Sequence, residues 1–403
     1  MGLKIEDIIE IHKKIKPQIR WTETSYSQSI SEKTNSNIYI KYENRQHTGS
    51  FKARGSFAKL ASLSELEKRN GVIAMSAGNH AQGLAYSASK NNIKSNIVMP
   101  TSTPFTKIRR TKNFGGKVIL KGESLQESFS FVQKLVEENN YTIVHPYNDL
   151  EVIKGQGTLC YEMLSDYNEL DILLVPVGGG GLIAGCSLVT KNFNKNIKVI
   201  GIESKLYPSL SNSFYNQSNI CAGSTIAEGI AVSEIGDLPL EIIKSNVDEV
   251  ITVSESSIER AVAMLALSEK VVVEGAGAVG LAAVIENKDM FSNKNVGLIL
   301  CGGNIDSKIL SSLLMRDLVR AGQITTLTIT MPDKPGQLNI ISRICAEAGA
   351  NVLRVDHSRF AMDLSASVAK LDITIETQNQ EHLKDIILEI EKNQLPVIIE
   401  GLV

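Results

Sequence analysis

Residues 41–56 read KYENRQHTGSFKARGS, and the rest of the chain is organised around them. A strand predicted over residues 37–42 runs into a polar turn that Gly49 closes, and helix-forming residues follow. This strand–turn–helix unit places Lys52 where side chains face a crevice. Because Phe51 is an apolar neighbour, desolvation lowers the pKa of the Lys52 amine toward the range in which it is nucleophilic. Taken alone, the stretch favours an ordinary solvated lysine.

Length and composition indicate a two-domain globular protein. The chain has 403 residues, of which 43% are hydrophobic and 21% charged, and a single core rarely grows past about 250–300 residues. A net charge of -2 and a pI near 6.4 argue against nucleic acid or an anionic membrane as a partner. The five cysteines form no Cys-x-x-Cys pair, which predicts a reducing, cytoplasmic location without a disulfide or zinc framework. No apolar run approaches the ~18 residues of a membrane span.

Strand and helix patterns alternate through most of the chain. Apolar strand runs occur at residues 72–75, 95–100, 172–177, 199–202 and 296–300, with helical periods between them. This alternation predicts a mostly parallel sheet covered by helices on both faces. We expect two α/β lobes with a crevice between them.

The pattern changes after residue 323. Strands are predicted over residues 325–330, 351–359, 367–375 and 396–400, and helices over 337–348 and 380–392. The resulting order, βαββαβ, predicts a ferredoxin-like sandwich as a separate small domain.

Glycine-rich turns follow several of the predicted strands. Gly178, Gly179, Gly180 and Gly181 come directly after a buried strand and open a helix, which indicates an anion site. Two stretches also match the loose or strict dinucleotide fingerprint, at residues 179–184 and 275–280, and Glu203 lies where a ribose-binding acid would sit. An NAD-dependent oxidoreductase is therefore the alternative that these turns leave open.

Two further strand ends carry polar residues. At residues 76–80 the sequence is SAGNH, whose backbone N–H groups and side chains suit a carboxylate or a ring oxygen, although serine and asparagine before a helix are usually caps. His80 alone is more often structural than catalytic. Cys301 ends the strand at 296–300, where a cysteine is most often a small buried hydrophobe.

Together, the motifs at residues 50–55, 76–80, 178–181, 274–278 and 301–304 resemble the threonine/serine dehydratases, which are fold-type II pyridoxal-phosphate (PLP) enzymes. The resemblance spans roughly residues 41–309. It implies a two-lobed, tryptophan synthase β-like core over residues 1–320, with a small lobe of about residues 55–150 inserted in the large one. The segment 324–403 is similar to an ACT regulatory domain, and the combination resembles the ACT-bearing threonine ammonia-lyases.

The resemblance implies a role for each motif residue. Lys52 would be the catalytic Schiff-base lysine and Phe51 its ring-packing neighbour. The phosphate would lie on Gly178, Gly179, Gly180 and Gly181, the ring hydroxyl near Asn79, and the ring nitrogen near Cys301, with Glu274 close to the cofactor. The substrate carboxylate would bind the loop formed by Ser76, Gly78, Asn79 and His80, of which Ser76 and His80 are also expected to act in catalysis.

The implied reaction is β-elimination. Lys52 would remove the Cα proton, the β-hydroxyl would leave, and threonine would give 2-oxobutanoate and ammonia, or serine pyruvate. The ACT-like domain implies an allosteric amino-acid effector at Asp333, Gly336 and Asn351, and a homo-oligomer, either a dimer or a tetramer. The sequence leaves open the effector and its sign, and whether the pathway is isoleucine biosynthesis or threonine breakdown.

Serine racemases resemble the same core and are the nearest alternative. They carry a second serine where this chain has Ala77, and a methyl group donates no proton to Cα. They also hold a divalent metal through acids after the strand that ends in Glu203, whereas Tyr207 and Ser209 follow here, so no metal site is predicted. A non-catalytic amino-acid sensor, with the α/β part as scaffold, is a third hypothesis.

Overall fold

The computed structural model describes residues 3–123, 125–359, 365 and 367–400. These residues form two compact units that divide between Asp306 and Ser307. The division precedes a helix that the sequence prediction assigned to the catalytic domain. The predicted domain limits, 1–320 and 324–403, therefore stay predictions. No described helix is long and apolar enough to cross a membrane.

The strands and helices are numbered in chain order. The strands are β1 Thr24–Tyr26, β2 Asn37–Lys41, β3 Val72–Met75, β4 Ser95–Met99, β5 Lys117–Leu120, β6 Thr142–Ile143, β7 Ile172–Pro176, β8 Lys198–Ser204, β9 Glu249–Val253, β10 Asn295–Ile299, β11 Ile324–Pro332, β12 Asn351–Ser358, β13 Val368–Glu376 and β14 Val397–Glu400. The α-helices are α1 Ile5–Ile15, α2 Gln28–Thr34, α3 Lys52–Ser62, α4 Glu65–Asn70, α5 Asn79–Lys90, α6 Phe105–Asn113, α7 Leu125–Asn139, α8 Leu150–Asp166, α9 Gly181–Phe193, α10 Ser209–Tyr215, α11 Asp237–Asn246, α12 Glu255–Leu267, α13 Gly275–Glu286, α14 Lys288–Phe291, α15 Ser307–Arg320, α16 Gln337–Ala348 and α17 Gln380–Lys392.

The larger sheet of the first unit has six strands in the order β1-β2-β10-β7-β8-β9. Only the β1–β2 pair is antiparallel; the other pairs are parallel. Strand β7 is buried along its whole length, as expected of a central strand that helices cover on both faces. The predicted α/β class is confirmed.

A second, four-stranded parallel sheet has the order β5-β4-β3-β6. Its strands come between β2 and β7 in the chain, so they form a smaller lobe inserted into the larger one. Buried residues of α5 pack on one face of this sheet and Val132 of α7 on the other. The carboxyl ends of β3 and β6 are therefore available to build a site.

Helices α3, α8 and α9 of the first unit touch at backbone distance. A Cβ at Gly155 would lie 2.6 Å from Cα of Gly55, and a Cβ at Gly185 would lie 2.6 Å from the backbone nitrogen of Gly157. Helix α3 begins at Lys52 and α9 begins at the four-glycine turn. Because closely packed helix backbones cannot shift relative to one another, this packing fixes the distance between Lys52 and the four-glycine turn.

A buried ion network adds to this packing. Arg54 of α3 lies 2.8 Å from Glu43 and 2.7 Å from Glu162 of α8, and Lys41 of β2 lies 2.8 Å from Glu162. The side chains of Arg54 and Lys41 are both fully buried. Removing one partner would leave an uncompensated buried charge, which is strongly destabilising.

The second unit consists of α15 followed by the predicted βαββαβ order. Its antiparallel sheet has the order β12-β13-β11-β14, and residues of α16 and α17 pack on one face of it. The ferredoxin-like prediction is confirmed, with boundaries shifted by one or two residues. Strand β11, for example, covers residues 324–332 where the sequence predicted 325–330.

Candidate active site

Lys52 is the first residue of α3, immediately after a turn in which Gly49 has a φ of +71°. Its Nζ lies 5.0 Å from the centre of the Phe51 ring and donates a hydrogen bond to the Pro146 carbonyl oxygen at 2.9 Å. Burial lowers the pKa of this amine to about 8, although the nearby Cys301 and Glu274 oppose the shift. Near neutral pH the Lys52 amine is therefore neutral and nucleophilic far more often than an ordinary lysine, although its charged form still predominates.

Lys52 opens onto a cavity of about 510 Å³ in the first unit, a size typical of small-molecule sites. All of the residues predicted to bind cofactor or substrate line this cavity, although their individual roles stay predictions. They are Phe51, Lys52, Ser76, Gly78, Asn79, His80, Gly178, Gly179, Gly180, Gly181, Glu274 and Cys301.

The four-glycine turn joins β7 to α9 and is closely packed, with least room for a side chain at Gly179 and Gly180. Gly180 is the N-cap of α9 with a φ of +91°, a conformation that favours glycine. A Cβ at Gly179 would lie 2.3 Å from the Tyr147 ring, and one at Gly178 would lie 3.2 Å from Cα of Ile230. The turn thus presents backbone N–H groups and the positive end of a 13-residue helix to the cavity.

The loop at residues 76–78 follows β3 and leads into α5. Gly78 is the N-cap of this helix and makes no side-chain cap, while the Ser76 hydroxyl accepts a hydrogen bond from the Gly78 N–H at 3.3 Å. The helix begins at Asn79 rather than at Ala81, where the sequence predicted it. Its amino end, which carries partial positive charge, lines the cavity.

His80 is buried and neutral. Its Nε2 lies 2.8 Å from the Val144 carbonyl oxygen and so carries the ring proton, while Nδ1 is buried and has no partner among the described residues. Burial, reinforced by the positive charge of Lys52, lowers the pKa of His80 to about 3. The ring therefore has no N–H to offer a substrate in this arrangement.

Asn79 links the two lobes of the first unit. Its Nδ2 donates a hydrogen bond to Glu274 at 2.6 Å, and its Oδ1 accepts one from Nδ2 of Asn304 at 2.7 Å. Burial raises the pKa of Glu274 to about 7, and the hydrogen bond from Asn79 opposes that shift. Asn304 belongs to the predicted motif at residues 301–304, and no role was predicted for it.

Cys301 lies two residues after the end of β10 and lines the cavity. Its backbone carbonyl accepts a hydrogen bond from the Phe51 N–H at 3.0 Å, which ties the strand end to the start of α3. Burial raises the pKa of the Cys301 thiol well above its ordinary range. The group is a neutral thiol at physiological pH.

The segment after β6 lies outside every motif predicted from the sequence. Pro146 and Tyr147 line the cavity, and the His145 ring contacts Tyr147 edge-on with ring centres 4.6 Å apart. Their position after a parallel strand is the signal that could have identified them, because the carboxyl ends of such strands build sites. The residue types alone gave no signal.

One wall of the cavity is apolar and comes from the small lobe. Met75 ends β3, Ile143 ends β6, and Phe129 and Val132 lie on α7. Met75 directly precedes the loop at residues 76–78. The cavity therefore joins a polar, positively biased end to an apolar surface.

Glu203, the residue expected to bind a ribose if the protein bound a dinucleotide, instead caps the amino end of α10. Its carboxylate accepts hydrogen bonds from the Leu210 N–H at 2.7 Å and the Ser211 N–H at 2.9 Å, both at the amino end of α10. It is buried and so is not presented to a ribose. Within the described ranges, no three His, Cys, Asp or Glu side chains are grouped as metal ligands would be.

The residues predicted for an effector do not all come together in the second unit. Gly336 is the N-cap of α16 and lies three residues after Asp333, but Asn351 lies beyond the far end of this 12-residue helix. In the sheet Asn351 is opposite Glu376, which pairs with Ile324, whereas the Asp333 turn follows the other end of β11. The prediction of one site from these three residues within a single chain is therefore wrong.

Comparison with known proteins agrees with this geometry. The family model described as pyridoxal-phosphate dependent enzyme matches residues 15–302. An L-threonine ammonia-lyase of Thermotoga maritima is 41% identical over 386 residues, covering 95% of this chain and 96% of its own. A serine racemase structure from Dictyostelium discoideum superposes with a TM-score of 0.71 at 35% identity, covering 75% of this chain and 99% of that one. A processed threonine deaminase isoform 2 from Solanum lycopersicum gives a TM-score of 0.72 at 30% identity, covering 78% and 89%.

Proposed function

The chain belongs to the pyridoxal-phosphate-dependent enzyme family, and on that premise we propose that it converts L-threonine to 2-oxobutanoate and ammonia. The proposal makes it an ammonia-lyase that eliminates the β-hydroxyl group. The relatives that carry the name threonine ammonia-lyase or threonine deaminase support this substrate. The observation that best supports the proposal is the Lys52 amine, whose pKa burial lowers to about 8 in a cavity that two helix amino ends line.

The residues present fit pyridoxal phosphate. The cofactor would be held covalently by Lys52, its phosphate by the N–H groups of residues 178–181, its ring against Phe51 and its ring nitrogen near Cys301. The glycine turn supports this fit, because a Cβ there would collide with its surroundings and the space is kept for backbone contacts. When bound, the cofactor supplies an electron sink for the charge that develops at the substrate Cα.

The chain's own residues would then orient the substrate and move its protons. The carboxylate would bind at the amino end of α5, with the Ser76 hydroxyl and the Gly78 and Asn79 backbone beside it. Lys52, once free, would take the Cα proton, since an amine with a pKa of about 8 is well matched to that task near neutral pH. The neutral Cys301 thiol places no formal charge beside the ring, which favours prompt loss of the hydroxyl group.

The apolar wall supports threonine over serine. Met75, Phe129, Val132 and Ile143 offer a surface for the methyl group that distinguishes the two substrates. A buried methyl group is worth about 10–200-fold in kcat/KM. We extend the proposal to serine as a second, slower substrate that would give pyruvate. Steady-state kinetics on both amino acids would test the preference, and equal kcat/KM values would contradict it.

A racemase is the second candidate, because a serine racemase is among the similar structures. Racemisation requires an acid on the face of Cα opposite Lys52. Ala77 lines the cavity, and its methyl group supplies no proton. The expected product from L-serine is pyruvate without D-serine, and chiral chromatography would detect any D-serine that contradicts this expectation.

We further propose that the second unit is an ACT regulatory domain and that the enzyme is a homo-oligomer. The βαββαβ topology and the exposed turn at residues 333–336 support an amino-acid effector there. Sedimentation would test the dimer or tetramer. The five free thiols support a reducing environment, and we extend the proposal to the cytoplasm.

The decisive experiment is to purify the chain with pyridoxal phosphate and assay it with L-threonine. The expected result is an absorption band from cofactor bound to Lys52, fixed by borohydride, together with equimolar 2-oxobutanoate and ammonia. A colourless protein that forms neither product would overturn the proposal. Binding of a dinucleotide in place of pyridoxal phosphate would favour the oxidoreductase alternative.

A further inference from the structure

The segment from His145 to Asn148 connects β6 to α8 and passes beside Lys52. His145 Nδ1 accepts a hydrogen bond from the Asn148 N–H at 2.8 Å and a longer one from the Tyr147 N–H at 3.3 Å. The site described above assigns no role to this ring. The His145 ring can act on Lys52 through the backbone of this segment, which its hydrogen bonds hold in place.

The hydrogen bonds determine which tautomer His145 adopts. Two N–H groups point at Nδ1, so Nδ1 carries a lone pair and the ring proton lies on Nε2. Burial lowers the pKa of His145, and the positive charge of Lys52 adds to that effect. The ring is therefore a neutral acceptor that holds the turn at physiological pH.

The peptide unit between Pro146 and Tyr147 carries this constraint to Lys52. A trans peptide is planar, and its C=O and N–H point in opposite directions. When the Tyr147 N–H points at His145 Nδ1, the Pro146 C=O must point away from it. The Lys52 Nζ lies on that side and donates to the carbonyl at 2.9 Å.

Both flanks of the segment are anchored to the elements that form the site. The Tyr147 ring packs directly on Gly179 of the glycine turn. Asn148 Oδ1 accepts a hydrogen bond from the Leu238 N–H at 3.1 Å. Asp149 caps α8 and lies 2.6 Å from Lys59 of α3, the helix that begins at Lys52. The peptide is therefore held by its neighbours as well as by His145.

We propose that His145 is a positioning residue that aims the Pro146 carbonyl at Lys52, and thereby holds the free amine of Lys52 in place. The inference rests on the role of Lys52 in the proposed function. A carbonyl that accepts a hydrogen bond from an ammonium group stabilises its charged form. His145 thus acts on the basicity and the position of Lys52 without touching the substrate.

The test measures the Lys52 amine itself. Full-length protein without cofactor is labelled with trace acetic anhydride at pH values from about 6 to about 10. Acetylation of Lys52 is followed by peptide mass spectrometry. In the His145→Ala variant the Pro146 carbonyl loses its orientation, so the apparent pKa of Lys52 should fall by about one unit. Glu274 and Cys301 also affect the pKa of Lys52, but they are the same in every variant.

Two variants make the interpretation specific. His145→Asn should restore the wild-type pKa, because an asparagine oxygen accepts N–H groups from the residues that follow it in a turn. His382→Ala is the matched control, since His382 Nδ1 also accepts a backbone N–H, from Gln378, but does so in the second unit. In the holoenzyme, His145→Ala should lower kcat about tenfold and leave KM for threonine within about twofold.

Several outcomes would overturn the proposal. A folded His145→Ala protein with an unchanged Lys52 pKa would show that the carbonyl does not depend on His145. If that variant does not fold, ¹⁵N NMR of the wild-type imidazoles decides, because a proton on His145 Nδ1 contradicts the arrangement and a proton on Nε2 supports it. Since the labelling reports on the amine and not on turnover, it can fail while threonine is still converted, and it can succeed when threonine is not.

Discussion

Gly180 and Gly336 occupy equivalent positions in the two units and have opposite surroundings. Each is the N-cap of a long helix, α9 or α16, and their φ angles are +91° and +94°. A Cβ at Gly180 would lie 2.9 Å from Cβ of Pro239, whereas a Cβ at Gly336 would have no heavy atom within 4 Å. The same backbone cap is thus enclosed in the first unit and open in the second.

The difference separates two uses of a helix amino end. An enclosed end excludes water, so its partial charge acts strongly on a bound anion and the groups beside it have shifted pKa values. An open end acts weakly and remains accessible to a ligand that comes and goes. Lys52 and Glu274 lie in the enclosed region, and both have shifted pKa values. The comparison therefore predicts large effects for changes in the first unit and small ones in the second.

The largest expected contrast is between two lysines, one in the cavity that the enclosed helix end lines and one in the open turn. Lys52→Ala should lower turnover of L-threonine on the order of 10³-fold, because it removes both the covalent anchor and the base. Lys334→Ala, in the exposed turn of the second unit, should leave turnover within about twofold without effector. Formation of 2-oxobutanoate and the cofactor absorption band measure both.

This prediction has a direct contradiction. If Lys52→Ala keeps wild-type turnover, the enclosed site is not the reaction centre and the comparison breaks. Thermal unfolding of both variants serves as the control, since a variant that is unfolded at the assay temperature gives no information on chemistry.

Glu274 provides the next largest effect, which depends on pH. Its folded-state pKa is about 7, above the 4.5 of an ordinary glutamate, so the folded protein holds this proton more tightly than the unfolded chain. The contribution to stability is fully present below about pH 4.5 and is lost as the pH rises to about 7. Over that window the wild type should lose about 3 kcal/mol that Glu274→Gln does not lose.

Urea unfolding of the two proteins at several pH values between about 4 and 8 measures this difference. Glutamine keeps the oxygen that accepts the hydrogen bond from Asn79, so the variant isolates the ionisation. A difference in unfolding free energy that stays constant with pH would show that Glu274 ionises normally, and would weaken the contrast between the two regions.

The fold was accessible from the sequence because its periodicities are strong. Continuous apolar runs predicted the buried parallel strands, and the change of pattern after residue 323 predicted the second unit. The predicted site residues line one cavity because most of them follow strand ends, and parallel strands bring their carboxyl ends to one edge. Their positions were therefore predictable, whereas their roles stay predictions.

The errors have physical reasons too. His145 acts through backbone hydrogen bonds, and a lone histidine after a strand has no pattern that encodes such bonds. Asn351 was grouped with Asp333, yet a 12-residue helix is about 18 Å long and separates the turn before it from the strand after it. That error could have been avoided by counting the helix rise. The helix expected from Ala81 begins at Asn79 because a glycine, and not the predicted polar cap, starts it.

The two glycine caps give a smaller and sharper contrast. Alanine at either position should lower the free energy of unfolding by about 1 kcal/mol, because it disfavours the left-handed conformation. Gly180→Ala should lose a further 1–3 kcal/mol or so, because its Cβ overlaps Pro239, while Gly336→Ala should lose nothing more. Chemical denaturation of each variant measures these values, and the affinity for pyridoxal phosphate should fall only for Gly180→Ala. Equal losses in both variants would mean that enclosure does not distinguish the two ends.

The smallest effect belongs to Asp333, whose carboxylate lies 3.3 Å from Arg359 with both side chains well exposed. An exposed ion pair contributes about 0–1 kcal/mol, so Asp333→Ala should barely change stability or turnover without effector. If the turn binds an effector, the same change should raise the half-saturating concentration of a branched-chain amino acid about tenfold. Asp356→Ala is the matched control, because Asp356 makes a similar exposed pair with Arg354 at 3.3 Å. If the half-saturating concentration is unchanged in Asp333→Ala, the effector does not bind at this open helix end. The proposed link between an open helix end and reversible ligand binding would then be wrong.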